Sequence, residues 1–482
     1  MSKTHGIFVY EEKTPITIPR ESSAGLQVVI GTAPVNVVDD PASVVNVPIL
    51  ANSATEAMAA LGYSTDFKNY TLCQTMYVTS NLYQVSPVVY INVLDSAKHK
   101  KAMAAKEVEV SSLQATVQEI GVLKNGLTVK NGETELEENK DYVLAFDSDG
   151  YLVITLLAAG SAKDASSLTV SGNMLDPSAI TKEDIIGKYD TATGAETGME
   201  VIRKVYPKLG VVPGILIAPG WSQVPEVGIA LSAKAANING VFKAISIPDV
   251  DTKKAKKYTD VKGVKEESGF TSEFCYPVWP CFMVGEMILA GSAVAAARMA
   301  YLDAENEDVP SNSPSNKELA ITGTCLADGT EVTLDQDQAT TVGEYGVATA
   351  TNMNGFRMWG NHTGAWPASG DAKDVWINVR RMFNWQGNTF ILTYFDKVDD
   401  PMNAILIENI VDSENIRCAA YAPAHWAGAS IEYLEADNPI TDILAGHMTF
   451  RQHIAPYTPA ETIDNILNYD TDMLKASFTG GE

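Results

Sequence analysis

Cysteine is scarce in this chain, with five among 482 residues, at Cys73, Cys275, Cys281, Cys325 and Cys418. An odd, scattered set makes no disulfide framework, and the one close pair, Cys275 and Cys281, matches no common zinc spacing, so free thiols are expected. Basic residues are also in deficit, 35 Lys plus Arg against 60 Asp plus Glu, giving a formal charge of -25. Duplex binding draws most of its affinity from cationic side chains set against phosphates, so this balance excludes nucleic acid as a direct partner and disfavours anionic membranes. Residues 1–13 lack the long apolar run of an export signal, which points to synthesis and folding in a cytoplasm. The single long apolar stretch, residues 278–300, is broken by Pro280 and Glu286. Its glycine and alanine content over residues 285–300 predicts a helix packed inside a soluble domain, without membrane insertion.

Motifs of small-molecule chemistry are missing too. No G-x-G-x-x-G opens a predicted helix, and the Gly187-Lys188 pair is followed by Tyr189 rather than Ser or Thr, so no phosphate-cradling loop is expected. Neither a G-x-S-x-G elbow nor an H-E-x-x-H pair occurs, and the expectation is a non-enzyme with no catalytic, metal or cofactor residues. His362, in the run WGNHTG, reads as a turn-stabilising histidine. His447 and His453 fit no metal pair and read as solvent-facing or interface side chains.

What is present is a patterned, foldable chain. At roughly 100 to 200 residues per domain, the length predicts about three or four domains. Residues 7–10 form a short β-prone run, Ile7, Phe8, Val9 and Tyr10, followed by extended, proline-marked chain at Pro15 and Pro19. Residues 26–32 and 87–94 read as buried strands, and residues 54–61 and 70–83 as helices, which is open α/β patterning. From residue 95 to 189 the pattern turns to Lys/Glu/Thr/Val-rich alternation with close turn signals. The clearest is a hairpin of residues 142–146 and 151–156 around Asp147-Ser148-Asp149-Gly150, with further turns at Asn125-Gly126 and Asn131-Gly132. This predicts a small all-β domain inserted into the first. Helices over 199–209 and 225–236 and strands over 214–218 and 241–247 then resume the βαβ pattern. Past residue 351 come five of the seven tryptophans, Trp359, Trp366, Trp376, Trp385 and Trp426, a helix over 402–420 and a strand over 449–454. Residues 462–469 read as a lone alternating strand carrying Ile463, Leu467 and Tyr469, and Pro456 and Pro459 stiffen the connector before it.

The fold class expected is therefore α/β multidomain, with an α/β middle domain, an α+β C-terminal domain, an inserted all-β domain and extended arms at both ends. Its parts are an arm over 1–25, a core over 26–94 and 190–350, the insertion over 95–189, a C-terminal domain over 351–460 and an arm over 461–482. A row of exposed tryptophan rings would suit a carbohydrate-binding surface protein. Large buried anchors of core or interface are the better reading, with Arg357, Arg380 and Arg381 interleaved for packing and cation-π contact. One basic cluster, Lys253, Lys254, Lys256, Lys257, Lys262 and Lys265, reads either as a solvated helix face or as the complement of an acidic surface on a neighbouring copy. The net charge is spread, at -3, -7, -6 and -9 over residues 1–94, 95–198, 199–350 and 351–482, so no acidic tail carries it. An assembling chain of this kind would bring its basic patches, Lys253 to Lys265 and Arg380-Arg381 among them, against acidic faces.

Five runs taken in order carry a family resemblance: HGIFVYEE at 5–12, VPSNSPSNK at 309–317, GFRMWGN at 355–361, IEYLEADNP at 431–439 and FRQHIAPYTPAE at 450–461. Together they resemble contractile phage tail sheath proteins of the temperate-phage type, over both ends and the α/β middle but not residues 95–189. The resemblance implies a structural subunit that forms a helical homopolymer around a tail tube protein, with baseplate and tail terminator proteins as further partners. It implies a virion tail location after assembly in the host cytoplasm. It also implies that both arms join sheets of adjacent copies, that the C-terminal domain faces the tube, and that the insertion lies outside. Pro15, Pro19 and Gly25 on one side, and Pro456 and Pro459 on the other, are the hinge borders expected in contraction. The sheath of a phage-tail-like bacteriocin or contractile injection system would use the same mechanics.

Overall fold

The computed structural model describes residues 24–479. At its centre lies a five-stranded sheet in the spatial order Ile245–Ser246, Ile215–Ile217, Gln27–Gly31, Val88–Asn92, Pro48–Ala51. The first four strands run parallel, and Pro48–Ala51 closes the far edge antiparallel. The segments QVVIG, ILI and VVYIN are buried at every residue, as parallel strands covered on both faces must be. The helices Ala54–Leu61, Thr71–Tyr77, Pro225–Ala236 and Gly291–Glu305 surround this sheet.

Two local differences from the sequence pattern have clear causes. The strand expected over 241–247 shortens to Ile245–Ser246 because the chain first reverses through Asn239 and Gly240, both at positive φ, with Phe242 N–H bonding back to Ile238 O at 2.9 Å. The helix expected from residue 285 begins at Gly291. Before it, Cys281–Val284 and Met287–Leu289 make a hairpin turned at Gly285, whose φ of +60° glycine adopts without strain. The helix start is tied down by buried Asp249, which accepts from Ser292 N–H at 2.8 Å and from Ser292 Oγ at 2.6 Å.

Between Val88–Asn92 and Ile215–Ile217 the chain leaves the central sheet and builds two others. One has four strands, Lys100–Glu109, Ser167–Leu175, Thr128–Asn131 and Thr134–Glu135; the other has three, Gln114–Ile120, Tyr151–Leu156 and Tyr142–Phe146. They enclose their own core, with Val117, Val129, Leu152, Ile154 and Val170 fully buried. The Tyr142–Phe146 hairpin turns where the sequence predicts. Asp147 Oδ1 accepts from the N–H groups of Asp149 and Tyr151 at 3.0 and 2.8 Å, and Gly150 takes a φ of +84°. This unit is seated on the core rather than hung from linkers, since Leu123 and Leu175 pack into the main core and Asn36 Nδ2 reaches Val122 O at 3.4 Å.

The C-terminal part is a helical hairpin, Ile377–Tyr394 and Ala404–Ala420, followed by a two-stranded antiparallel sheet, Trp426–Glu432 with Arg451–Pro456. Ile377, at the start of the first helix, is buried in the main core, while Met382, further along, packs with Cys418, Trp426 and Val309 in a second one.

Candidate assembly surfaces

The two-stranded sheet is held to the helical hairpin by one face. Trp426 and Ile431 are buried and Ile454 half-buried, whereas Ser430, Glu432, Arg451 and His453 point to solvent, the alternation that a half-covered sheet requires. A buried carboxylate fastens the layers. Glu414 accepts from Gln386 Nε2 at 2.7 Å, Gln452 Nε2 at 2.8 Å and Arg417 Nε at 3.0 Å, joining both helices to the second strand. Burial raises its pKa, but the bonds from Arg417, Gln452 and Gln386 more than offset this and hold it below the usual carboxylate range.

Beyond this sheet the chain departs from the body in stages. Pro456 is still a strand residue, paired with Trp426. Asn378 Nδ2 then donates to Tyr457 O at 2.9 Å, Pro459 is half-buried, and Glu461 Oε1 lies 3.7 Å from Nδ1 of His362. His362 is clamped between the rings of Trp366 and Trp376, with centroids at 4.4 and 4.7 Å, and burial holds its pKa below the ordinary value. Among the described residues Tyr457 is the last of this stretch held to the body by a hydrogen bond, so the exposed run begins close to the expected borders Pro456 and Pro459. Residues 462–470 have no secondary structure and lie exposed, with Ile463 at 84%, Leu467 at 86% and Tyr469 at 78%. The strand expected over 462–469 does not form, and among the described residues no other strand pairs with it. A short helix, Thr471–Thr479, follows.

At the other end, Ile7, Phe8, Val9, Tyr10, Pro15 and Pro19 lie outside the described residues. Gly25 is buried, and its neighbour Ala24 is fixed on two sides, with its N–H on Asp308 Oδ1 at 3.2 Å and its C=O on Arg381 at 3.3 Å. A Cβ on Gly214 would meet Ala24 O at 2.0 Å, so only glycine lets the chain pass. Gly25 thus lies at the start of the held, described body.

The charge candidates divide. Lys253, Lys254, Lys256, Lys257 and Lys262 are exposed, whereas Lys265 is buried, its Nζ bonded to the carbonyls of Tyr345, Gly364 and Trp366 at 2.9, 2.7 and 2.7 Å. Burial brings its pKa down to about 8. Arg380 and Arg381 are corrected from interface charges to interior ones. Arg381 grips both oxygens of buried Asp303, one at 3.0 Å. Arg380 lies over the rings of Phe274 and Phe383 at 5.0 and 5.5 Å and reaches Asp374 at 3.3 Å. Their position on an inward helix face, invisible in a dipeptide, decides this. None of the seven tryptophans is exposed, which removes the basis for a sugar-stacking row. Two residues escaped the sequence pattern, Asn378 and Asn415. Asn378 stands between Ile377 and Val379, a mismatch that could have marked it, whereas Asn415 follows Asp412, Ser413 and Glu414 and carries no such signal.

Among the described residues no group of three or more His, Cys, Asp or Glu could hold a metal ion, and no helix is long and apolar enough to cross a membrane. No family model matches the chain. A tail sheath protein of Burkholderia phage BcepMu is 27% identical over 489 residues, covering 97% of this chain and 96% of that protein. A protein of Pseudomonas aeruginosa (strain UCBPP-PA14), described as a putative prophage major tail sheath protein, is 28% identical over 258 residues, 51% of this chain and 61% of that protein. In fold, the chain is similar to a solved chain of the anti-feeding prophage helical sheath in its contracted state, with a TM-score of 0.56, 13% identity and coverage of 98% and 100%. Alignment over nearly the full length with a tail sheath protein, together with the fold of a solved sheath chain, leads to one conclusion: from end to end the chain is similar to tail sheath proteins.

Proposed function

We propose that this chain is the sheath subunit that polymerises around a tail tube in a metastable extended state and contracts to drive the tube through a host envelope for genome delivery. The observation that carries the proposal is the exposed apolar tail, Ile463, Leu467 and Tyr469, leaving the body beside a sheet of only two strands. Arms from both ends of the chain would add as strands to neighbouring copies, satisfying their main-chain groups there. At about 0.5 to 1.5 kcal/mol net per hydrogen bond, an arm making roughly four to six bonds gains a few kcal/mol. One such link is weak, but repeated within and between rings it becomes multivalent.

In this reading the part over 351–460 faces the tail tube, the insertion over 95–189 lies on the outside, and baseplate and tail terminator proteins cap the polymer. Subunits assemble in the host cytoplasm and end in the virion tail. Contraction proceeds as rigid-body movement with the arms still engaged, driven by better burial and charge pairing in the contracted lattice, without nucleotide. The exposed Lys253, Lys254, Lys256 and Lys257 are the cations left to meet acidic faces of other copies. Deleting residues 1–24 tests the reading: a folded, soluble monomer that forms no polymer is expected, and normal tubes from that truncation would refute the linking arm. Fold likeness to the solved PVC sheath complex of an extracellular contractile injection system favours a second reading, a genome-free contractile particle, which particle morphology separates from the first.

A further inference from the structure

The two edges of the C-terminal sheet are not equivalent. In an antiparallel pair, residues alternate between turning their N–H and C=O groups toward the partner strand and turning them away. Ile431 donates its N–H to Asn415 Oδ1 at 2.9 Å and accepts at its C=O from Asn415 Nδ2 at 3.0 Å. Both groups of Ile431 therefore face outward, and the Asn415 side-chain amide occupies the place that a neighbouring strand's peptide would take. Asn415 comes from the Ala404–Ala420 helix beside this strand, and the strand's far end is tied to the same helix by Trp426 Nε1 on Cys418 O at 3.0 Å.

Among the described residues the other edge lacks such a cover. Gln452 stands opposite Ile431 and Ile454 opposite Ala429, so the same alternation turns the main-chain groups of Gln452 and Ile454 outward along Arg451–Pro456. The Gln452 side chain is directed away, to Glu414 at 2.8 Å, and among the described residues no third strand lies there. Two outward residues offer two N–H and two C=O groups, enough for a short added strand. A natural sheet with two bare edges invites pairing at either, and blocking one is a standard way to restrict it.

The geometry points to Asn415 as the residue that closes one edge and so directs the arm of a second copy, residues 461–470, to the Arg451–Pro456 edge. This rests on the strand-addition reading above. The occupant is argued from the arm itself. Ile463, Leu467 and Tyr469 share one face of an extended chain and are exposed among the described residues, and on the open edge that face would continue the layer in which Ile454 packs against the helices. Asn415 is thus a specificity-determining residue of assembly, fixing on which side of each subunit the link is made.

Cysteine crosslinking in the full-length chain tests it. Adjacent strands lie about 4.8 Å apart, within disulfide reach, whereas a strand two places away lies near 10 Å, beyond it. His453 and Ser430 face each other across the pair and both point to solvent. His453→Cys, combined in turn with Asp464→Cys, Ile466→Cys or Asn468→Cys, is expected to give intermolecular ladders on oxidation, and Ser430→Cys with the same partners is expected to give none. Adding Asn415→Ala is expected to bring up the Ser430→Cys ladder. Ladders from Ser430→Cys with Asn415 intact would overturn the edge assignment while leaving strand addition standing. Absence of ladders from both positions would overturn strand addition itself. The comparison of the two cysteine positions needs no substitution at Asn415, so it decides the question even where that variant does not fold.

Discussion

The central sheet and the C-terminal sheet are made of the same chemistry and finished to different degrees. In the central one, Gln27–Gly31 and Val88–Asn92 are buried at every residue, flanked on both sides by other strands and covered by helices on both faces. In the C-terminal one, two strands carry alternate exposed side chains, only one face is covered, and the chain leaves it as a bare apolar tail. The first sheet needs nothing from outside. The second has only two strands among the described residues, and in the proposed function an assembly would supply further ones. Stability and assembly are therefore assigned to different parts of the molecule, and they can be perturbed separately.

The largest expected effect separates them outright. Removing residues 462–482 takes away the exposed tail and nothing that packs in either core, so polymer should be lost altogether while the thermal midpoint stays put; a large fall in the midpoint would show that the tail belongs to the monomer's fold. Next come substitutions within the body. Arg381→Met leaves buried Asp303 without its partner, which typically costs about 3 to 5 kcal/mol, readable by denaturant unfolding. It also releases Ala24, so monomer stability and the seating of the N-terminal arm should fail together. Glu414 sharpens the contrast through pH. Its folded pKa is depressed from the ordinary 4.5, so its stabilising contribution is full above that pH and is lost as pH falls through the folded value. Tryptophan fluorescence near Trp385 and Trp426 should therefore report loosening of the C-terminal part on acidification, a transition that Glu414→Gln removes. The smallest effect on folding is expected from charge reversal of Lys253, Lys254, Lys256 and Lys257, exposed side chains whose replacement shifts stability by no more than about 0.5 kcal/mol. Assembly and its salt dependence should change instead, and unchanged assembly would remove this patch from the interface.

How much of this is legible in the sequence follows the same division. Three strands of the central sheet, Gln27–Gly31, Val88–Asn92 and Ile215–Ile217, are largely apolar runs, and the Asp147 to Gly150 turn is written in its own side chains, so these can be read locally, whereas Pro48–Ala51 is not among the strands expected from the sequence. The C-terminal segment over 462–469 is legible as a patterned stretch with no core of its own. What is not legible depends on residues far apart in the chain. Lys265 looks like one more lysine in a basic cluster until the carbonyls of residues 345, 364 and 366 surround it. Arg380-Arg381 looks like a surface pair until Asp303 and Phe274 are placed beside it. The tail at 462–469 alternates like a strand, but alternation alone does not create a strand without a second chain to pair with. Asn415 carries no pattern at all, because its role is set by the distance of its amide from a strand that begins eleven residues later.

Negative-stain microscopy of the purified full-length chain is the most direct test of the central claim that this fold is an unfinished unit completed by copies of itself. Ribbed hollow cylinders, absent from the same chain cut after Glu461, are the predicted result. Persistent monomers under all assembly conditions, or cylinders formed equally well without the tail, would contradict it.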